Sequence, residues 1–133
     1  MYAAMTRGAA AYRQTEVQSR SPLELVVMLY DGVLRFVGEA RDAMARHDLT
    51  AKREAMSRAL AIVSELQSTL NLTEGGQVAA SLDGLYTYIN GRLLDASMTG
   101  DVAALEECAR LVTPLRDAWM QIATAPAAPQ DHP

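Results

Sequence analysis

The sequence predicts an all-α protein, folded as an antiparallel up-down four-helix bundle. Half of the 133 residues are hydrophobic, but only one is Phe and one is Trp. The apolar content is therefore mostly Ala, Leu, Val and Met, which favours helix over strand. Four segments also repeat apolar residues in alternating steps of three and four, and short connectors join them. We expect a bundle at residues 21–123, a mobile N-terminal arm at 1–20 and a disordered, proline-rich tail at 124–133.

The first helix has a clear start and is expected at residues 22–46. Ser21 can cap it, and Pro22 fits the first helical position, where a missing N–H costs nothing. Glu24 lies three residues after Ser21, so its carboxylate can accept a hydrogen bond from the Ser21 backbone N–H. The apolar face that follows comprises Val26, Leu29, Val33, Phe36, Ala40 and Ala43.

The other three helices are expected at residues 51–70, 77–98 and 102–123. Asp48 or Thr50 is the expected cap of the second helix, and Asp101 that of the fourth. The paired glycines Gly75 and Gly76 separate the second helix from the third. Pro114 lies inside the fourth helix and should kink or break it. The expected apolar stripes are Met56, Ala59, Val63, Leu66 and Leu70; Ala79, Leu82, Tyr86, Ile89, Leu93 and Ala96; and Leu105, Cys108, Val112, Leu115, Trp119 and Ile122.

Composition excludes several classes of protein. The formal net charge of −4, with both signs interspersed, argues against a nucleic-acid binder, which needs a basic stripe. No apolar run approaches the roughly 20 residues of a membrane span, so no membrane insertion is expected. The lone Cys108 cannot form an intrachain disulfide, and the N-terminus lacks the apolar core of a signal peptide. A cytoplasmic location is therefore expected.

The sequence also offers little catalytic chemistry. Cys108 falls on the apolar stripe of the fourth helix, which indicates a core thiol rather than a nucleophile. A dinuclear metal site in a bundle needs Glu-x-x-His pairs, but the only histidines are His47 in a connector and His132 in the tail. We expect no enzyme, no metal, no cofactor and no small-molecule substrate.

Three interpretations of the bundle remain at this point. A histidine phosphotransfer module would use His47, although that residue lies at a helix end beside Asp48, which disfavours a phosphoryl group. A plain structural or oligomerising bundle would bind no unstructured partner. In the third interpretation, surplus apolar residues form a groove for an apolar segment of another protein. Tyr86, Ile89 and Leu93 are the candidate groove residues, although their helical spacing also fits a core position.

Several short motifs in fixed order resemble the flagellin-specific export chaperone family, FliS. The resemblance covers about residues 1–122. The motifs are Met1-Tyr2, Ala11-Tyr12 with Val17, Ser21-Pro22-x-Glu24-Leu25, Met28-Leu29-Tyr30-Asp31-Gly32, Ala59-x-x-Ile62-Val63-x-x-Leu66, Leu70-Asn71, Gly75-Gly76, Leu85-Tyr86-x-Tyr88-Ile89, Arg92-Leu93-Leu94-x-Ala96 and Ala118-Trp119. Pro114 is not a feature expected of this family.

The resemblance implies a cytoplasmic four-helix chaperone that binds the disordered C-terminal segment of newly made flagellin. Such a protein prevents premature polymerisation and delivers its cargo to the flagellar type III export apparatus, where an export gate component is the second partner. The resemblance further implies that the N-terminal arm covers part of the bundle when cargo is absent. Tyr12 and Val17 would belong to that displaceable arm.

Overall fold

A computed structural model of the chain describes residues 21–125, and these residues form four α-helices. The helices are α1 Pro22–Ala45, α2 Leu49–Ser68, α3 Gly76–Thr99 and α4 Val102–Thr124. Within this part of the chain, α1 packs on α2 and α4, and α3 packs on the same two helices, whereas the diagonal pairs are further apart. The predicted four-helix bundle is confirmed. The expected arm and tail lie outside the described residues.

Local side-chain bonds define where the helices begin. At the start of α1 the Ser21 hydroxyl accepts from the Glu24 N–H at 3.2 Å, and the Glu24 carboxylate accepts from the Ser21 N–H at 2.8 Å. Asp48 caps α2 through the Ala51 N–H, and Asp101 caps α4 through the Ala103 N–H. The predicted capping box and the Asp101 cap are confirmed, and Asp48 rather than Thr50 caps α2.

The turn between α1 and α2 depends on His47, which adopts a left-handed conformation with φ of 56°. Its N–H donates to the Met44 carbonyl at 3.1 Å, and the Asp48 N–H donates to the Ala43 carbonyl at 2.9 Å. These two bonds satisfy carbonyls that the end of α1 would otherwise leave unpaired. His47 is exposed in this turn rather than on a helix face, so nothing in its placement favours the phosphotransfer interpretation.

The core lies where the four apolar stripes meet. Most of the residues predicted on these stripes are buried, including all of the α3 stripe except the half-buried Leu82. On α1 three residues of the predicted stripe, Val26, Leu29 and Phe36, are half-buried and pack against the edge of the core. The buried α1 residues are Val27, Tyr30, Val33, Val37, Ala40 and Ala43, a wider face that serves two neighbouring helices.

Pro114 does not break α4, which is helical from Val102 to Thr124. Of the predicted kink or break, the break is therefore wrong, and the kink stays a prediction. Proline cannot donate to the carbonyl four residues earlier, which belongs to Arg110. Arg110 and Pro114 both lie on the exposed side of α4, so water can bond the freed carbonyl and the helix can continue.

Candidate protein-binding surface

Exposed apolar side chains are concentrated on α3. Among residues 21–125, eight large hydrophobic residues are exposed, and four of them lie on α3. They are Leu49, Leu72, Val78, Tyr88, Leu94, Met98, Val102 and Ile122. Met98 is 83% exposed and Leu94 is 48% exposed. Single exposed apolar residues are ordinary on protein surfaces, but a concentration on one helix indicates an interaction surface.

One exposed side of α3 consists mainly of small or apolar residues. We call the six residues that form it the α3 face: Ala80, Gly84, Thr87, Gly91, Leu94 and Met98. They follow one another in steps of three and four, and all six are exposed. Among residues 21–125, no atom outside the surrounding α3 backbone lies within 4 Å of a Cβ added at Gly84 or Gly91, so no other segment of this range covers these positions. The α3 face therefore lets the backbone of a partner approach closely.

A polar network joins α3 to α4 along one border of the α3 face. The Glu107 carboxylate accepts from the Tyr88 hydroxyl at 2.5 Å and from Arg92 Nε at 2.7 Å. Arg92 also donates to Asp95 at 3.2 Å. The two bonds to Glu107 fix α3 against α4 at this border. The Tyr88 bond first, and the Arg92 bond second, hold the pKa of Glu107 below its ordinary value.

The other border joins α3 to α2. The Gln67 amide donates to the Asp83 carboxylate at 2.9 Å and to the Thr87 hydroxyl at 2.9 Å. Near the opposite end, Lys52 Nζ donates to the Ser97 carbonyl at 3.0 Å. The end of α2 thus lies beside the start of α3, and its start beside the end of α3. The α3 face is held between two polar borders on a helix fixed at both ends.

The α3–α4 network gives a pH prediction for stability. Because the pKa of Glu107 is lower in the folded than in the unfolded protein, its contribution to stability is present above the ordinary value near 4.5. This contribution is lost as the pH falls through the lower, folded-state pKa. We expect Glu107→Gln to reduce stability at neutral pH and to flatten the loss of stability as the pH falls below about 5.

Denaturant unfolding at a series of pH values measures this effect, with Glu106→Gln as the matched control. Glu106 is the exposed neighbour on the same helix and takes no part in the bonds to Tyr88 and Arg92. Parallel pH profiles for wild type and Glu107→Gln would contradict the assigned role of Glu107.

The structure places the predicted groove residues in the interior. Tyr86 is 3% exposed, and Ile89 and Leu93 are fully buried. A direct contact between these three residues and a partner stays a prediction, and it would require the bundle to open. The arm residues Tyr12 and Val17 lie outside the described residues.

The exposed residues of α3 were missed as site candidates, although the sequence contains a signal for them. The regular three-four stripe of α3 predicts its core, and apolar residues off that stripe are candidates for the surface. Val78 and Leu94 are such residues, and both are exposed. The regular three-four spacing of Tyr86, Ile89 and Leu93 therefore indicates core residues.

Cys108 is a core thiol, as predicted. It is fully buried, and its Sγ lies 3.8 Å from the Ile89 carbonyl oxygen. Burial first, and the charge of Glu107 second, raise the pKa of the thiol to about 11. At neutral pH the thiol is protonated, which makes it a poor nucleophile.

A cleft of about 260 Å³ lies between α1 and α2, away from the α3 face. It is lined by Glu39, Asp42, Arg46, Ala51, Glu54, Ala55 and Arg58. Its charges are of both signs, so it has no clear preference for one kind of ligand. In residues 21–125 no cluster of His, Cys, Asp and Glu is placed to hold a metal ion. The four helices in this range are also too polar or too short in apolar length to cross a membrane.

Comparison with known proteins gives one consistent result. The family described as "Flagellar protein FliS" matches residues 5–126. "Flagellar secretion chaperone FliS" of Bacillus subtilis is 38% identical over 111 residues, which cover 84% of this chain and 82% of the relative. The protein of the same name from Salmonella typhimurium is 38% identical over 120 residues, covering 86% and 89%. That from Escherichia coli is 35% identical and covers 98% of both chains.

Proposed function

The chain belongs to the FliS family of flagellar secretion chaperones, and on this premise we propose that it binds the disordered C-terminal segment of flagellin in the cytoplasm. The family is one of chaperones and not of enzymes. Binding would prevent flagellin from polymerising early and would deliver it to an export gate component of the flagellar type III apparatus.

The observation that carries the proposal is the exposed α3 face. A disordered segment loses conformational entropy when it folds on a chaperone, so it needs a long surface to gain affinity. The α3 face extends from Ala80 to Met98, 18 helical steps that cover about 27 Å at 1.5 Å per residue. A cargo helix could place its apolar side on Leu94 and Met98 and pass closely over the two glycines. Met98 adds an adaptable contact, because its side chain is unbranched and exposed.

The N-terminal arm would compete with the cargo. Residues 1–20 lead directly into Ser21 at the start of α1, so the arm is attached to the bundle that it would cover. Tyr12 and Val17 would supply its apolar contacts. When the arm is docked for part of the time, the apparent affinity for cargo equals the intrinsic affinity multiplied by the undocked fraction. It would also keep apolar surface covered between cargoes.

The proposed site is tested by adding side chains to the α3 face. Gly91→Gln should block the close approach of the cargo backbone while helping the helix, because glycine is a poor helix former. We expect the affinity for a flagellin C-terminal peptide to fall by at least about tenfold, the effect of losing one strong interface contact. Circular dichroism and thermal unfolding should show an intact bundle.

Gly38→Gln is the matched control, since Gly38 lies on α1 and a Cβ atom there also meets no other segment of residues 21–125 within 4 Å. It makes the same chemical change away from the α3 face, and the affinity should stay within about twofold of wild type. Equal affinities for the Gly91 and Gly38 variants would place the cargo elsewhere on the bundle.

A further inference from the structure

Burial along α4 changes at Pro114. The fully buried residues of this helix, Ala104, Leu105, Cys108 and Val112, all precede the proline. Beyond it, Leu115 and Trp119 are only half-buried, and Ile122 is 55% exposed. The last part of α4 is therefore attached to the bundle by less apolar contact than the first part.

Pro114 also weakens the helix at this boundary. The bond from the amide of residue 114 to the carbonyl of Arg110 is missing, because proline has no N–H. One ladder bond fewer makes this turn of α4 easier to bend than the turns on either side. The change in burial and the missing backbone hydrogen bond are independent features, and both occur at Pro114.

A partly exposed ion pair joins this last part of α4 to α1. Arg116 Nε donates to Asp31 Oδ1 at 2.8 Å, and both side chains are partly exposed. Arg116 also contacts Asp117 on its own helix at 3.4 Å, so part of its charge is satisfied locally. Exposed ion pairs hold their partners weakly. This contact can restrain the segment without fixing it.

From these observations we propose that residues 115–124 form a flap that opens as one unit about a hinge at Pro114. The part of α4 before the hinge stays packed while the flap moves. The flap covers one end of the bundle, where α1 and α3 begin. Val26, Leu29, Leu82 and Leu85 lie there, half-buried against the core. Opening would increase the apolar surface at this end, whether or not flagellin is the cargo.

Hydrogen exchange of the full chain tests the proposal. Amides in residues 116–124 should share one protection factor, at least about tenfold lower than that of amides in 105–112, because the flap opens without global unfolding. Pro114→Ala restores the missing N–H and should slow exchange in 116–124 at least about fivefold relative to wild type, with little change in 105–112. Pro22→Ala is the matched control, since Pro22 is at the first position of α1, where no bond is missing.

Trp119 supplies a second readout, because it is the only tryptophan in the chain. Asp31→Ala removes the partner of Arg116 and should increase quenching of Trp119 fluorescence by acrylamide, while denaturant unfolding of the bundle stays close to wild type. Graded exchange that rises steadily toward residue 124, with no effect of Pro114→Ala, would indicate ordinary end fraying and overturn the flap. Exchange in 116–124 as slow as in 105–112 would overturn it as well.

Discussion

Replacing Leu93 by aspartate should unfold the bundle, whereas aspartate at the next position, Leu94, should leave it folded. Leu93 is fully buried and Leu94 is 48% exposed, although the two residues are neighbours on α3. Aspartate at position 93 would lose the packing of a leucine and bury a carboxylate that has no partner there. The cost should be at least about 4 kcal/mol, a large part of the roughly 5–15 kcal/mol by which domains are stable.

Thermal and denaturant unfolding of the two variants measures this contrast. Leu94→Asp should change the stability by less than about 1 kcal/mol, as exposed substitutions generally do. It should nevertheless weaken cargo binding, because it introduces a charge into the α3 face. If Leu93→Asp instead remained folded and lost only cargo binding, Leu93 would be a groove residue, as the sequence-based hypothesis has it.

The second large effect is expected at the tyrosine pair in the centre of the bundle. The hydroxyl groups of Tyr30 on α1 and Tyr86 on α3 form a hydrogen bond to each other, and both residues are buried. Their ring centroids are 6.5 Å apart with the planes tilted by 45°. Burial first, and the Tyr30 hydroxyl second, raise the pKa of Tyr86, so it stays protonated at neutral pH. The pair joins two helices that are diagonal in the bundle.

Phenylalanine at either position should cost about 1–3 kcal/mol, because the remaining hydroxyl is left buried without its partner. Phenylalanine at both positions should cost less than the sum of the single changes, because no hydroxyl then remains unpaired. A double-mutant cycle in denaturant unfolding measures this coupling. Strictly additive effects would show that the bond between the two hydroxyls contributes nothing to stability.

Local features of the fold could be predicted from the sequence because their causes are local. Ser21, Pro22 and Glu24 fall within four residues of one another, and together they determine where α1 begins. Asp101 does the same for α4. The apolar stripes predicted the four helices and most of the core, since the residues on one helix face are determined by their spacing along the chain.

Long-range contacts could not be predicted in this way. The bond between Tyr30 and Tyr86 joins residues 56 positions apart, and that between Asp31 and Arg116 joins residues 85 apart. Both depend on how the helices are rotated against one another, which single-sequence periodicity leaves open. Pro114 shows the same limitation, because its effect depends on whether the freed Arg110 carbonyl faces solvent or the core.

The candidate site was the hardest part to predict. Core and binding residues of an amphipathic helix are both apolar, and the regular stripe selects the core first. Tyr86, Ile89 and Leu93 were chosen on that regularity, and the structure buries them. Leu94 and Met98 are surface residues because, within residues 21–125, α3 has only α2 and α4 as adjacent helices. This arrangement depends on how the four helices assemble.

Calorimetric titration of the full chain with a flagellin C-terminal peptide of about 40 residues, at several temperatures, measures whether the bundle binds this segment. We expect a one-to-one complex with a large negative heat-capacity change, because apolar surface is buried as the peptide folds on the bundle. Absence of binding to the peptide from the same organism's flagellin, with the bundle folded, would contradict the proposed function and leave the fold unaffected.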